Sequence, residues 1–123
     1  MKTLTWHYGG LVHAGAHDVR DRRGGGAAFR VSAGYYPAEV RLMLDGASKS
    51  GPVVVDVKDD GVSLFTTPPQ LDAGATYRTS KTFIETGRVK TEKDSVLTMD
   101  VTSAGSDAKG LTVELDLEEA KDI

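Results

Sequence analysis

Histidines near the N-terminus offer the first candidate chemistry in this sequence. His13 and His17 stand four residues apart, and His7 lies nearby. On a helix, this spacing would place two imidazoles on one metal ion. The intervening Ala14-Gly15-Ala16 is a poor helix former, and Asp18 is the one nearby acid spaced as a third ligand. The pattern therefore favours a solvated loop, and we predict no metal site.

Four aspartates form a second candidate, either a calcium site or a pair of catalytic carboxylates. Asp56 and Asp100 fall at outward positions of alternating strand patterns, and Asp59 and Asp60 precede Gly61 in a typical hairpin turn. Their spacing does not provide the oxygen ligands of an EF-hand loop. Pleat and turn preferences account for all four, so calcium binding and glycoside hydrolysis are the weaker interpretations.

The motifs of covalent and phosphate chemistry are missing from the sequence. The chain has no cysteine, which excludes disulfides and thiolate metal sites. No serine stands in a nucleophile-elbow context. Gly24-Gly25-Gly26 precedes a predicted strand rather than a helix, so no helix N-terminus follows it to bind an anion. We therefore predict a protein that is not an enzyme and that holds no cofactor.

An arginine-rich segment precedes these glycines. Arg20, Arg22 and Arg23 resemble part of an RNA-binding arginine–glycine segment, but the motif occurs once and Asp18 and Asp21 dilute its charge. The net charge of -3 argues against general affinity for nucleic acid or anionic membranes. Because the guanidinium fork binds carboxylates well, we expect a protein-docking arm instead. The predicted interface residues are Trp6, His13, His17, Arg20, Arg22 and Arg23.

Alternation of apolar and polar residues dominates the rest of the chain. Residues 111–118 alternate strictly, as in a half-buried strand whose successive side chains point to opposite faces of a sheet. Leu4, Trp6 and Tyr8 likewise share one face, which is typical of a core. Strong or weak forms of this pattern predict further strands over residues 3–8, 28–33, 38–45, 53–58, 62–66, 81–88 and 95–102.

About eight short strands with turns between them predict an all-β protein, an antiparallel β-sandwich of jelly-roll type. Residues 9–28 do not fit the strand pattern, because six of the fourteen glycines lie between Gly9 and Gly26. We expect a Gly/Arg-rich arm or long loop there. The predicted organisation is an N-terminal strand and arm over residues 1–28 and a sandwich domain over residues 29–123. Residues 117–122 are a weak helix candidate.

The size and hydropathy of the chain are those of one globular domain. It has 123 residues and a mass of 13.1 kDa. No window approaches the roughly 18 consecutive apolar residues of a membrane-spanning helix. The N-terminus lacks the apolar region of a signal peptide, so we expect synthesis in a cytoplasm and no membrane partner.

The run from Gly46 to Thr67 follows the strand predicted at 38–45. It contains Ser50-Gly51-Pro52, a strand pattern with Asp56, the Asp60-Gly61 hairpin and Leu64-Phe65. This run resembles a stretch of small virion proteins of tailed bacteriophages, and the likeness covers residues 36–117. It extends over residues 69–74, 81–85 and 93–101, a polar loop at 103–110 and a last strand at 111–117. The family often has Gly-Asp where Lys93-Asp94 stands, and Asn-Gly at the hairpin. The resemblance implies a β-sandwich structural domain of a phage particle and no catalytic residues.

Three functions follow as hypotheses. The first is a capsid decoration protein in the virion, made in the host cytoplasm, that binds the major capsid protein or other virion proteins on the outside of the head shell. Such a protein is expected to form a homo-oligomer, for which a trimer fits a symmetric shell. The alternative is a minor tail or receptor-binding component that contacts the host surface. The remote alternative is a small cell-wall hydrolase.

Overall fold

A computed structural model describes residues 2–12, 15–17, 29–31, 34–81, 91 and 94–119. Those residues form strands and turns, with no helix among them. The ten strands of this part of the chain are β1 (Lys2–Leu11), β2 (Gly15–His17), β3 (Phe29–Arg30), β4 (Tyr35–Gly46), β5 (Val53–Asp59), β6 (Val62–Ser63), β7 (Gln70–Leu71), β8 (Tyr77–Ser80), β9 (Val96–Ala104) and β10 (Lys109–Glu119).

The strands form two antiparallel sheets. Sheet A has the order β1-β10-β4-β8. Sheet B has the order β2-β9-β5-β6, with β3 also paired to β9 and β7 also paired to β5. The short strands share edges: β2 and β3 lie along the side of β9 that is turned away from β5, and β6 and β7 lie along the far side of β5. Each of these two edges is therefore one interrupted strand.

When β2 and β3 are counted as one strand, and β6 and β7 as another, the described strands have the connectivity of a jelly roll. Each step along the chain crosses to the other sheet, except the hairpin from β5 to β6. The first and last strands are neighbours, with Lys2 opposite Leu117 and Tyr8 opposite Leu111. Two sheets of four strands linked in this order are the double Greek key of the jelly roll. The predicted fold class is confirmed.

The core lies between the sheets and consists of alternate residues of the strands. The inner face of β10 is buried at every apolar position, and the inner faces of β4, β5 and β9 follow the same rule. Burial of each such side chain stabilises the folded state by about 1.5–3 kcal/mol relative to leaving it exposed to water. Trp6 of β1 contacts Phe29 of β3 edge to face, with ring centroids 5.1 Å apart, and so joins the two sheets.

A two-residue turn links β5 to β6. Asp60 has φ +49° and Gly61 has φ +88°. Positive φ at both positions is the backbone of a type I′ turn, whose twist matches that of the flanking strands. The Asp60 side chain also holds β9, because its Oδ1 accepts a hydrogen bond from the Val96 amide at 2.9 Å. The predicted Asp-Gly hairpin is confirmed.

Most strongly alternating runs are strands, but several weaker predictions need correction. The helix predicted at the tail is wrong for residues 117–119, which continue β10, while residues 120–122 lie outside the described part. The loop expected at residues 9–28 is wrong for Gly9, Gly10 and Leu11, which belong to β1, and for Gly15–His17, which is β2. Of the strand predicted at 81–88, Lys81 lies after β8 and the rest is outside the described residues.

Candidate docking surface

The outer face of sheet A presents mostly polar side chains in three rows that cross its strands. The register of the four strands defines these rows. One row is His7, Thr112, Met43 and Tyr77; the next is Thr5, Glu114, Arg41 and Thr79; the third is Thr3, Asp116 and Glu39. Alternation makes this face polar, because its residues stand between the buried ones in each strand.

Arg41 is the centre of an ion-pair network on this face. Its Nη1 and Nη2 donate to the two carboxylate oxygens of Asp116 at 2.7 and 2.8 Å, and its Nε donates to Glu114 at 3.1 Å. Glu39 lies 3.6 Å from the same guanidinium. A bidentate arginine–carboxylate pair is strong and fixes the orientation of both side chains. Three carboxylates around one guanidinium leave a surplus of negative charge at this end of the face.

The electrostatics of the network lock both partners in their charged forms. Hydrogen bonds from Arg41, together with one from Thr3, lower the pKa of Asp116 to about 2, although burial alone would raise it. The Asp116 and Glu114 carboxylates in turn raise the pKa of Arg41 above its ordinary value. Neither group changes protonation near neutral pH, so the network is suited to structure rather than to proton transfer.

Three loops meet at one end of the sandwich around Ser48. The Ser48 hydroxyl lies 2.8 Å from the Gly51 carbonyl and accepts a hydrogen bond from the Ser106 amide at 3.0 Å. The Ser48 carbonyl accepts from the Gly74 amide at 2.9 Å. Gly105 packs against Ser48 with φ +60°, and a Cβ there would collide with the hydroxyl. The segments of the phage-like pattern around residues 50–52, 72–74 and 103–110 are thus joined by hydrogen bonds in one loop cluster.

Two of the aspartates considered as a catalytic or calcium site, Asp56 and Asp100, each have a partner side chain. Asp56 and Asp100 face each other across β5 and β9. Ser63 donates to Asp56 at 2.6 Å, and Lys58 lies 2.7 Å from Asp100, which raises the pKa of that lysine. Within the described ranges, no group of three or more His, Asp or Glu side chains is placed to hold a metal ion. Structural roles account for Asp56 and Asp100.

The predicted interface residues have different outcomes. Trp6 is 1% exposed and packs on Phe29, so it belongs to the core rather than to a docking surface. His17 lies in β2, where the structure describes the backbone alone. His13, Arg20, Arg22 and Arg23 lie outside the described residues. Their role in docking stays a prediction.

Sequence reasoning missed the Arg41 network, although its parts were visible. Glu39 and Arg41 occupy outward positions of one alternating run, and Glu114 and Asp116 occupy those of another. Alternation gives the face on which a residue lies but not the neighbouring strand. The network exists because β4 and β10 pair with Arg41 opposite Glu114.

Comparison with known proteins adds no relative: neither a family model nor a curated protein sequence matches the chain. The described residues also contain no helix long and apolar enough to span a bilayer.

Proposed function

We propose that the chain is a structural protein of a tailed-bacteriophage particle, a capsid decoration protein that binds the outside of the head shell. One observation carries the proposal: the residues of the phage-like pattern stand at the positions that set the turns of this fold. Asp60-Gly61 forms the type I′ hairpin, and Gly51 and Gly105 both take positive φ in the loop cluster around Ser48. Agreement with the phage virion proteins at these turn-forming positions supports a fold and a structural role shared with them.

The architecture suits a protein that works through protein contacts. Among the described residues, its two sheets enclose one core, and hydrogen bonds and ion pairs hold the loop cluster around Ser48 and the Arg41 network in place. A surface that is ordered before docking loses little conformational entropy on binding. Many copies on a shell would each add burial across joints between capsid subunits, and the repeated weak contacts would reinforce the shell by avidity.

A tail or receptor-binding role is the second candidate, and the exposure of Tyr77 favours it. The Tyr77 side chain is 58% exposed and stands beside Met43 on the outer face of sheet A. An exposed aromatic ring on the outer face of a sheet is the kind of residue that packs against a sugar or a protein partner. This role predicts loss of receptor binding in Tyr77→Ala, whereas decoration predicts unchanged binding to heads.

Immunolabelling of intact particles tests the proposal first. Antibody against the purified protein would be applied to phage and viewed by negative-stain electron microscopy. Label over the heads supports decoration, and label confined to the tail supports the second candidate. If no intact particle binds antibody, the virion proposal fails, and turnover of cell-wall material becomes the assay to run.

A binding assay then tests the basic arm. Particles lacking the protein would be mixed with purified chain and sedimented, comparing wild type with the combined change Arg20→Ala, Arg22→Ala and Arg23→Ala. The matched control removes the same charge from exposed sites, through Lys49→Ala, Lys81→Ala and Lys109→Ala. Docking through the arm predicts loss of binding in the arginine variant alone. Equal binding by both variants would contradict the role of these arginines.

A further inference from the structure

A crevice lies on the side of the sandwich where β8 of sheet A approaches β7 of sheet B. Its volume is about 200 Å³. The residues that line it come from β8, from β7 and from the segment before β7: Thr67, Pro68, Pro69, Gln70, Arg78 and Ser80. Pockets for drug-sized ligands begin at roughly 300 Å³, so this crevice has room for a group the size of one amino-acid side chain.

The β8 residues that line the crevice stand at inner-face positions of sheet A. Arg78 lies opposite Leu42 of β4, and Leu42 is fully buried. Ser80 lies opposite Val40, which is fully buried as well. Because directly paired residues of antiparallel strands share a face, Arg78 and Ser80 point into the space between the sheets. At this side of the sandwich, the apolar inner face of β4 is thus followed by a guanidinium and a hydroxyl.

The Arg78 guanidinium is only lightly engaged within the protein. Its Nη1 donates to the Gln70 carbonyl at 3.4 Å, which is long for a hydrogen bond and links the two sheets. In the part of the chain that the structure describes, no carboxylate forms an ion pair with Arg78, whereas Arg41 has three. The Asp72 carboxylate accepts from the Gln70 side-chain amide at 2.6 Å instead. Because a guanidinium has five N–H donors, Arg78 has capacity for a further acceptor.

A charge that points inward at a sheet edge also protects the edge from pairing with another chain. This role accounts for the charge of Arg78 but not for the crevice beside it. The wall of the crevice on sheet B is held in place, since the Pro69 carbonyl accepts from the Val55 amide at 3.1 Å. We propose that the Arg78 crevice binds a carboxylate side chain, Glu or Asp, of a partner protein.

The chemistry of the walls favours a carboxylate over a phosphate. The planar guanidinium fork matches either anion, but phosphate sites in proteins usually gather several backbone N–H groups. Pro68 and Pro69 have no N–H, and Arg78 is the one cationic residue of the lining. A single cation in a chain of net charge -3 suits a monoanion better than a dianion.

The size and exposure of the crevice favour a side chain over a free acid. Arg78 is exposed, and one ion pair between exposed groups is weak. A free acid would therefore be held loosely, whereas a carboxylate on a partner protein is also held by the contacts around it. That the partner is a virion protein rests on the proposed function, but the carboxylate chemistry of the crevice does not.

An NMR titration of the labelled full-length chain tests the chemistry. The probe is glutamate blocked as its N-acetyl and N-methylamide derivative, added at constant ionic strength. We expect saturable shifts of the Arg78 Nε–H and of the Gln70 backbone amide. For a probe of roughly 14 non-hydrogen atoms, the expected dissociation constant is on the order of 1–10 mM. The blocked glutamine analogue has the same shape without the charge and should bind at least about tenfold more weakly.

Matched variants assign the binding to Arg78. Arg78→Gln should raise the dissociation constant of blocked glutamate at least about tenfold. Arg30→Gln is the control and should leave it unchanged, because Arg30 also donates to a backbone carbonyl, that of Asp94 at 3.2 Å, but does not line the crevice. The analogue comparison on wild type is independent of any effect of the variants on folding.

Three results would overturn the proposal. The first is a response that does not saturate or is equal for the two analogues, which would leave Arg78 with edge protection alone. The second is equal weakening in the two variants. The third is tighter binding of inorganic phosphate at the same residues. In the particle-binding assay, Arg78→Gln should bind more weakly than Arg30→Gln, and equal binding would overturn the assignment to a partner side chain. Absence of wild-type binding to particles is instead a failure of the decoration role, since the titrations need no virion.

Discussion

Arg41 shows how a single side chain organises a sheet face. Its guanidinium binds carboxylates on its own strand and on β10, and the residue is only partly exposed. Removal of the positive charge would take the guanidinium away from Glu39, Glu114 and Asp116, and of these Glu39 would keep Lys81 at 3.9 Å. The cost of such a change lies mainly in the unpaired carboxylates rather than in the lost bonds.

Arg41→Met tests this role, since methionine keeps much of the aliphatic stem while removing the charge. We expect the free energy of unfolding to fall by about 1–2 kcal/mol, at the modest end because the side chain is partly exposed. Urea denaturation measures the change. The control is Lys49→Met, whose ion pair with Asp107 spans 3.5 Å between well-exposed side chains and should cost less than about 0.5 kcal/mol. Equal losses in the two variants would contradict the network.

The acid sensitivity of the fold should report Asp116. The folded-state pKa of this carboxyl is about 2, below its unfolded value of 3.8. Because the folded pKa is depressed, the stabilisation is present above pH about 4 and is lost as the pH falls to about 2. We expect about 1–2 kcal/mol of the unfolding free energy to disappear over this window in wild type, and this component to be missing in Asp116→Asn. Denaturation curves at closely spaced pH values measure it.

At the scale of the elements, alternation predicts the strands with one buried and one exposed face. It identifies the runs in β4, β5, β9 and β10 because their apolar positions carry the core. It misses β8, since Tyr77, Arg78 and Thr79 are all exposed at an edge and show no period. It misses β2 because glycine-rich sequence resembles a loop until a neighbouring strand supplies its hydrogen bonds.

The candidate site was less predictable than the strands. In the sequence, Trp6 shares an alternating face with Leu4 and Tyr8. This pattern predicts the burial of Trp6 that the structure shows, whereas the predicted interface role would require an exposed side chain. The Arg41 network depends on which strands pair and in which register. Register follows from the bulges and from the Greek-key path, which no local pattern specifies.

The hairpin between β5 and β6 gives a prediction about one element. Gly61 has φ +88°, and a Cβ there would meet no neighbouring atom. Gly61→Ala should therefore lower the unfolding free energy by about 1–2 kcal/mol through backbone strain alone. Gly61→Asn is the control and should lose clearly less, because asparagine tolerates the left-handed region. Thermal denaturation compares the two, and equal losses would contradict the turn assignment.

At the scale of the molecule, the jelly roll brings together halves of the chain with opposite charge. Residues 1–50 carry a net charge of +3 and residues 51–123 a net charge of -6. Sheet A alternates between these halves, with β1 and β4 from the first and β10 and β8 from the second. The ion pairs of Arg41 with Glu114 and Asp116 are one result. The charge asymmetry along the sequence is thus partly compensated within the folded chain.

The same topology predicts slow folding. β1 pairs with β10, so residues more than a hundred positions apart must meet before that ladder forms. Folds dominated by such distant pairings fold in milliseconds to seconds. Stopped-flow refolding monitored by Trp6 fluorescence should show its main phase on this timescale. Loss of most of the amplitude before the first recorded point would mean that Trp6 is buried early, and that closure of sheet A does not limit the rate.

The pairing of Lys2 with Leu117 also makes the fold a good subject for circular permutation. A short linker could join the first and last strands, which run side by side, and new ends could be opened at the exposed Asp60-Gly61 turn. The permuted chain would keep the ladders of both sheets while turning the most distant pairing into a local hairpin. The pairing of the strands does not depend on which strand comes first in the sequence, so the permuted chain should form the same sandwich. The difference between its refolding rate and that of the original chain would measure how much chain connectivity contributes to the folding barrier.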